Sequence, residues 1–265
     1  MKGAVLVTGA SSGIGAAYAC QLARRGCDLV LVARRVCELE RVAEQVCALG
    51  RKAEVIGADL ADPDSLERVE ARLRRGVDGL VNNAGFGNLS PFGQSDLDLL
   101  SSMIAVNVTA VVRLTHAALP GMLARKEGAI VNVGSGVVYR PIPDYATYIA
   151  TKAFVTEFTA ALALDHGGSG VRFHLAVPGV TRTEFSSIAA GVSLEGVRST
   201  SVMEADAFVE AALAGFDQGE AVTIPALDDP ALHDALIAAR KAVGRHVTAS
   251  QPAKRYGVGT AGDPD

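Results

Sequence analysis

The sequence predicts an α/β fold in which a doubly wound parallel sheet of about seven strands carries helices on both faces within a single domain. Two observations carry that prediction. Short runs rich in Val, Leu and Ile recur along the 265-residue chain and are apolar on both faces, as strands covered from both sides must be. Longer stretches with helical spacing separate them, which is the alternation that builds parallel sheets with crossover helices. With 49% hydrophobic and 20% charged residues the chain can bury a large core, so general disorder is excluded.

Strands are expected at Ala4–Val7, Leu29–Ala33, Glu54–Ala58, Gly79–Val81, Ala129–Val133, Val171–Val177 and Ala221–Ile224. A glycine-rich turn follows the first and opens a helix that Gly26 closes; Gly50 closes the second helix. Asp62-Pro63 supplies a cap and a first-turn proline for the third, which ends at Gly76. One long helical stretch runs from about Asp96 to Leu123 and another from Tyr145 to His166. The architecture is therefore Rossmann-like, one domain over residues 1–245. Residues 184–203, with Gly191 and Gly196 among Ser, Thr and Val, have the composition of a lid that orders over ligand, and a polar tail occupies 246–265.

Several functions are excluded early. Twenty-five Lys and Arg against 29 Asp and Glu leave a net charge of −4, which argues against a nucleic-acid footprint. Uninterrupted apolar runs reach five residues, against roughly 20 for a membrane span, and Ala4–Val7 is too short for the core of a signal peptide. A soluble, cytoplasmic protein is expected. Cys20, Cys27, Cys37 and Cys47 match no zinc or redox spacing, and the five histidines include no pair four apart, so no metal site is expected. Ser135 lies in Val133-Gly134-Ser135-Gly136-Val137, which lacks the elbow glycine of a serine hydrolase.

The turn after the first strand reads Thr8-Gly9-Ala10-Ser11-Ser12-Gly13-Ile14-Gly15. Bare backbone at a helix N-terminus lets a pyrophosphate approach the helix dipole, so Gly9, Ser11, Ser12, Gly13, Ile14 and Gly15 are candidate contacts. At the end of the second strand a carboxylate would bind a free ribose 2′-hydroxyl and repel a 2′-phosphate. This chain has Ala33-Arg34-Arg35 there, which favours NADP over NAD. Arg34 is the preferred phosphate ligand, and Arg35 the one expected on a solvated helix start. Ser11 can add a hydroxyl to the same phosphate.

The reacting end is expected around Tyr148 and Lys152. Four apart on a helix, a phenol and an ammonium share one face, and a nearby cation lowers the pKa of a phenol. Thirteen residues upstream, Ser135 follows a strand and stands at the carboxyl end of the sheet, where ligands of doubly wound folds bind. Asn107 lies inside an apolar helical stretch, a placement that needs a reason.

From residue 3 to about 225 the sequence resembles the short-chain dehydrogenase/reductase family, through the T-G-x-x-x-G-x-G turn, Asp59-Leu60, Asn82-Asn83-Ala84-Gly85, Pro178-Gly179 with Thr183, and Asn107, Ser135, Tyr148 and Lys152. The resemblance implies that Asp59 and Leu60 border the adenine and that Asn83, Ala84 and Gly85 line the ribose and brace the sheet. Pro178, Gly179, Thr181 and Thr183 would complete the nucleotide site, Thr183 holding the carboxamide. It also implies hydride transfer between a nicotinamide and a carbonyl or secondary alcohol. Tyr148 would donate the proton, Ser135 stabilise the oxygen, Lys152 lower the Tyr148 pKa and bind ribose, and Asn107 hold a relaying water. Phe86, Asn88, Val137, Val138, Tyr139, Ile142 and Asp144 are candidate pocket walls, mostly apolar, which suits an apolar ketone or 3-oxoacyl substrate. Two rivals stay open: an NAD-dependent alcohol dehydrogenase working in oxidation, and a dinucleotide-binding sensor without turnover. The small and apolar residues of the two long helices, Val155 among them, suggest a homodimer or homotetramer.

Overall fold

Alternate residues of the first two strands point to opposite faces of one sheet, and the two sides of the core divide accordingly. Val5, Val7, Leu29 and Leu31 join Tyr18, Leu22, Phe208 and Phe216 in one buried cluster, while Leu6, Val30 and Val32 join Leu66, Leu114, Met122 and Ile130 in the other. The computed structural model describes residues 1, 3–183 and 201–258. Its elements run β1 (Ala4–Thr8), α1 (Gly13–Arg24), β2 (Asp28–Ala33), α2 (Val36–Ala48), β3 (Ala53–Gly57), α3 (Pro63–Arg74) and β4 (Gly79–Asn82). Then come α4 (Leu97–Ile104), α5 (Val111–Arg125), β5 (Gly128–Val133), α6 (Ala146–Asp165), β6 (Val171–Ala176), β7 (Thr181–Arg182), β8 (Met203–Glu204), α7 (Ala205–Gln218), β9 (Val222–Thr223) and α8 (Ala231–Gly244).

The large sheet has the order β3-β2-β1-β4-β5-β6-β9, and every pairing in it is parallel. Strand order reverses direction at β1, so the carboxyl ends of β1 and β4 flank the crevice where doubly wound folds receive ligands. All seven expected strands are present, shifted by a residue or two at their ends. Asp62 caps α3 by accepting from the Ser65 amide at 2.8 Å, with Pro63 opening the helix as the sequence requires.

One element departs from expectation. The stretch from Asp96 to Leu123 is not one regular α-helix: α4 and α5 are joined by a wider π-helical segment, Ala105–Ala110, with Asn107 buried inside it. The whole run Leu97–Arg125 is long and apolar enough to cross a membrane by length and composition, which its short apolar runs, broken by Ser, Asn and Thr, conceal. A third of its most apolar window is buried within this chain.

Residues Met1–Pro225 form one compact unit, and Ala226–Asp265 a second that holds α8 and a short turn of 3₁₀ helix at Lys254–Tyr256. Of the expected lid at 184–203, residues 184–200 lie outside the described residues. Its far end, Met203, pairs with Thr181 in the two-stranded parallel ladder β7-β8.

Candidate active site

Three chain turns meet at the carboxyl ends of β1, β4 and β5. The first is the glycine turn. Gly9 and Gly13 have φ of 66° and 54°, a region open to glycine, while Gly15 is required for space alone, because a Cβ there would lie 2.2 Å from the Gly9 carbonyl oxygen. A side chain at Gly9 would strike Asn83 and Ala84, and one at Gly13 would strike the Thr183 methyl at 2.9 Å. The turn therefore presents bare backbone at the N-terminus of α1, bounded by the Asn83–Ala84 turn and by Thr183. That shape and polarity fit a pyrophosphate.

Thr8, which the sequence reading leaves without a role, locks this corner. Its buried hydroxyl accepts from the amides of Asn83 and Ala84, each at 3.0 Å, and donates to the Val81 carbonyl at 3.3 Å. Asn83 returns a bond from Nδ2 to the Thr8 carbonyl at 2.9 Å. Beneath it, Asn82 Nδ2 donates to Asn132 Oδ1 at 2.9 Å and to Thr115 Oγ1 at 3.1 Å, and Asn132 donates onward to Thr159 at 2.8 Å. The Asn82–Gly85 turn thus braces β1, β4 and β5 with charge-free polar contacts, each satisfying a buried group.

Both arginines are exposed, and Arg35 is the N-cap of α2, the solvated helix start expected of it. Arg35, placed by sequence on a solvated helix start, donates to Ser12 Oγ at 2.9 Å and Ser11 Oγ at 3.4 Å, and so spans the glycine turn. Arg34 lines an open groove of about 310 Å³ with Val36, Gly57, Ala58, Asp59 and Ser65. Asp59 is exposed and accepts from the Ala61 amide at 3.0 Å. Leu60 and Ile14 turn their side chains to the core. Pro178 accepts from the Gly136 amide at 2.8 Å, which ties the loop carrying Gly179, Thr181 and Thr183 to the serine turn.

The second and third turns bring the reacting groups together. Ser135 follows β5, caps a short 3₁₀ turn and hydrogen-bonds the Tyr148 phenol. Tyr148 and Lys152, on α6, are both buried. Lys152 Nζ donates to the Val133 carbonyl at 2.9 Å and stands 5.8 Å from the centroid of the Tyr148 ring. Asn107 Nδ2 donates to the Phe86 carbonyl at 2.9 Å and to Thr151 Oγ1 at 3.1 Å, and its Oδ1 accepts from the Phe86 amide at 3.1 Å. Thr151 in turn donates to the Tyr148 carbonyl at 2.8 Å. Asn107 thus pins the loop after β4 against α6.

Burial dominates the electrostatics of Tyr148. Burial, with the neighbouring Tyr145 phenol, pushes its pKa above the ordinary value, and the Ser135 hydroxyl pulls the other way. Burial likewise pushes Lys152 down, to about 8. Proton-donating Tyr148 is the form that this site favours.

Comparison with known proteins agrees with the geometry. The family model for short chain dehydrogenases matches residues 3–190. A short-chain dehydrogenase from Sphingobium yanoikuyae in complex with NADPH superposes with a TM-score of 0.91 at 42% identity, covering 96% of this chain and 99% of that one. A bulky-bulky ketone specific alcohol dehydrogenase from Comamonas testosteroni gives 0.87 at 35% identity, covering 96% and 98%. Sulfoacetaldehyde reductase 2 of Chromohalobacter salexigens is 39% identical over 197 residues, 72% of this chain and 77% of that protein.

Proposed function

Since the chain belongs to the short-chain dehydrogenase/reductase family and is by that membership an NAD(P)-dependent oxidoreductase, we propose that it is an NADPH-dependent ketoreductase acting on an apolar ketone or a 3-oxoacyl group. The observation that carries the reading is the meeting of Ser135 with the buried Tyr148 and Lys152 at the carboxyl end of the sheet. A buried acid beside a hydroxyl donor suits reduction, in which the carbonyl oxygen must gain a proton. Bound nicotinamide would supply the hydride. Tyr148 Oη would deliver the proton and Ser135 Oγ would steady the oxygen as charge grows on it. Lys152, released from Val133, would hold ribose hydroxyls.

For the nucleotide, Gly9, Ser11, Ser12, Gly13 and Gly15 would receive the pyrophosphate, and Arg34 the 2′-phosphate in the groove beside Gly57 and Asp59. The absence of a carboxylate at the end of β2 and the NADPH held by the Sphingobium relative support this choice. For the substrate, Phe86, Val137 and Ile149 pack partly buried against the cluster that holds Tyr148, and Tyr139 and Ile142, between Ser135 and Tyr148 in the chain, stay exposed. Apolar walls favour a bulky ketone, in keeping with the Comamonas relative.

We also propose that two copies pair through the outer faces of α4, α5 and α6. Val155 faces the sheet, against Val111, Leu175 and Val177, but Phe154 and Phe158 stack on one another with centroids 5.5 Å apart, and Ile104 and Leu164 are exposed. A cytoplasmic location accords with the four free cysteines.

The function is tested by following nicotinamide absorbance with NADPH and NADH against propiophenone, a diaryl ketone and a 3-oxoacyl thioester. Turnover with NADPH that falls at least about a thousandfold in Tyr148→Phe, with nucleotide binding retained, is the expected result. Tight NADPH binding without turnover of any ketone would favour the sensor, and faster oxidation of secondary alcohols with NAD would favour the reverse enzyme.

A further inference from the structure

We propose that Tyr145 is a positioning residue for the proton donor: its ring holds the Tyr148 ring in place, and Gly87 is the bare backbone that makes room for it. The inference rests on Tyr148 being the reacting phenol, as read above.

Tyr145 occupies the N-cap of α6, a position that favours Ser, Thr, Asp or Asn because their side chains satisfy free helix amides. It makes no such bond. The chain enters this position through Asp144, whose φ of 60° is uncommon for a residue other than glycine and whose carbonyl accepts from the Ser90 amide at 2.9 Å. Both the cap position and the turn are thus given over to directing one large side chain inward. Tyr145 is 5% exposed.

Inside, its centroid lies 4.5 Å from that of Tyr148, with the planes tilted by 34°. Three residues apart on one helix, the two rings pack in contact. Leu100 and Met103 of α4, with Phe86, Val137 and Ile149, complete the apolar shell. A Cβ at Gly87 would lie 2.3 Å from the Tyr145 phenol oxygen, 2.9 Å from Cζ and 3.0 Å from Cε2. The three atoms nearest to that position all belong to Tyr145, so any side chain at 87 must move the tyrosine. Misplacing a reacting group by about 1 Å can cost a hundredfold in rate, so a ring that fixes the donor's aim controls turnover without touching substrate.

The deciding measurement needs no turnover. With 3-fluorotyrosine in the full-length chain, the ¹⁹F line of Tyr148 is assigned by its loss in Tyr148→Phe. It should be single and sharp in the wild type, broadened or split in Tyr145→Leu, and sharp again in Tyr145→Phe, which restores the ring. A Tyr148 line equally sharp in Tyr145→Leu overturns the proposal. With NADPH and propiophenone, Tyr145→Leu should lower kcat at least tenfold and change KM less than twofold, while Tyr145→Phe recovers most of the loss. Gly87→Ala should act in the same direction, and the double variant with Tyr145→Leu should be no worse than the poorer single one. Losses that multiply would show that Gly87 and Tyr145 act separately and would overturn the pairing. If Tyr148→Phe remains active, the functional reading falls, and the line shape still decides whether Tyr145 holds the ring.

Discussion

At the scale of single residues, Lys152 shows how function opposes stability. An ammonium buried to 6% exposure with one carbonyl partner is held down to about 8 by desolvation, against 10.5 for a free lysine. Below about pH 8 the lysine is charged in both folded and unfolded chains, and the burial cost is present in full. As pH rises from about 8 to 10.5 the folded chain gives up its proton first, so that cost falls away. Lys152→Met should therefore melt higher than wild type at pH 7, by the equivalent of about 1–3 kcal/mol once the lost hydrogen bond is counted, with the advantage shrinking toward pH 10. Paired thermal melts without nucleotide at pH 7 and pH 10 check this, and turnover should be lost in the same variant. Arg34→Ala should raise the KM for NADPH about tenfold and leave that for NADH nearly unchanged, since only the 2′-phosphate offers it a new anion. Equal effects on both cofactors would remove Arg34 from the phosphate site. The sequence makes Asn107, Ser135, Tyr148 and Lys152 legible because their types and spacings are chemically motivated. Tyr145 carries no such mark: its role comes from a turn at Asp144 and a glycine 58 positions earlier in the chain, contacts that no local pattern announces.

Among the elements, the strands were readable because a parallel strand covered on both faces must be a continuous apolar run. The π-helical segment Ala105–Ala110 was not, since one slightly widened turn leaves no period of its own in six residues. Its only trace was an asparagine among apolar neighbours. In the structure that asparagine joins the loop after β4 to α6 through Phe86 and Thr151. The glycine turn offers the sharper test of an element. Gly15 lies at the start of α1 without a positive φ, so alanine there is refused by space and not by conformation. Because the obstructing atom is the Gly9 carbonyl, relief requires the turn itself to move. Gly15→Ala should cost about 1–3 kcal/mol in urea unfolding and weaken NADPH binding at least tenfold, read by nucleotide fluorescence. Unchanged affinity would mean that the turn does not hold the pyrophosphate.

For the whole molecule, the question is what covers the apolar length of α4, α5 and α6. The helix pair from Leu97 to Arg125 is only a third buried across its most apolar window, and α6 adds Phe154 at 37% and Leu164 at 83% exposure. Composition announced this excess of apolar residues, but it could not say which of them face outward, because on an α6 with apolar residues all round no stripe stands out. The structure separates neighbours: Val155 is buried with Val111, Leu175 and Val177, whereas Phe154 is exposed and stacks on the partly buried Phe158. A symmetric pair would bury that outer face against its own copy and brace the helix that bears Tyr148 and Lys152 from behind. Two adjacent substitutions then have opposite consequences. Phe154→Glu should leave far-UV circular dichroism and the melt nearly unchanged, while light scattering at micromolar concentration falls from a multiple of the 27.3 kDa chain mass to that mass. Val155→Glu should abolish the cooperative melt, since a carboxylate there is buried without a partner. A wild-type mass of 27.3 kDa at the same concentration would refute the pairing. A Phe154→Glu protein that stays assembled would place the interface on another face.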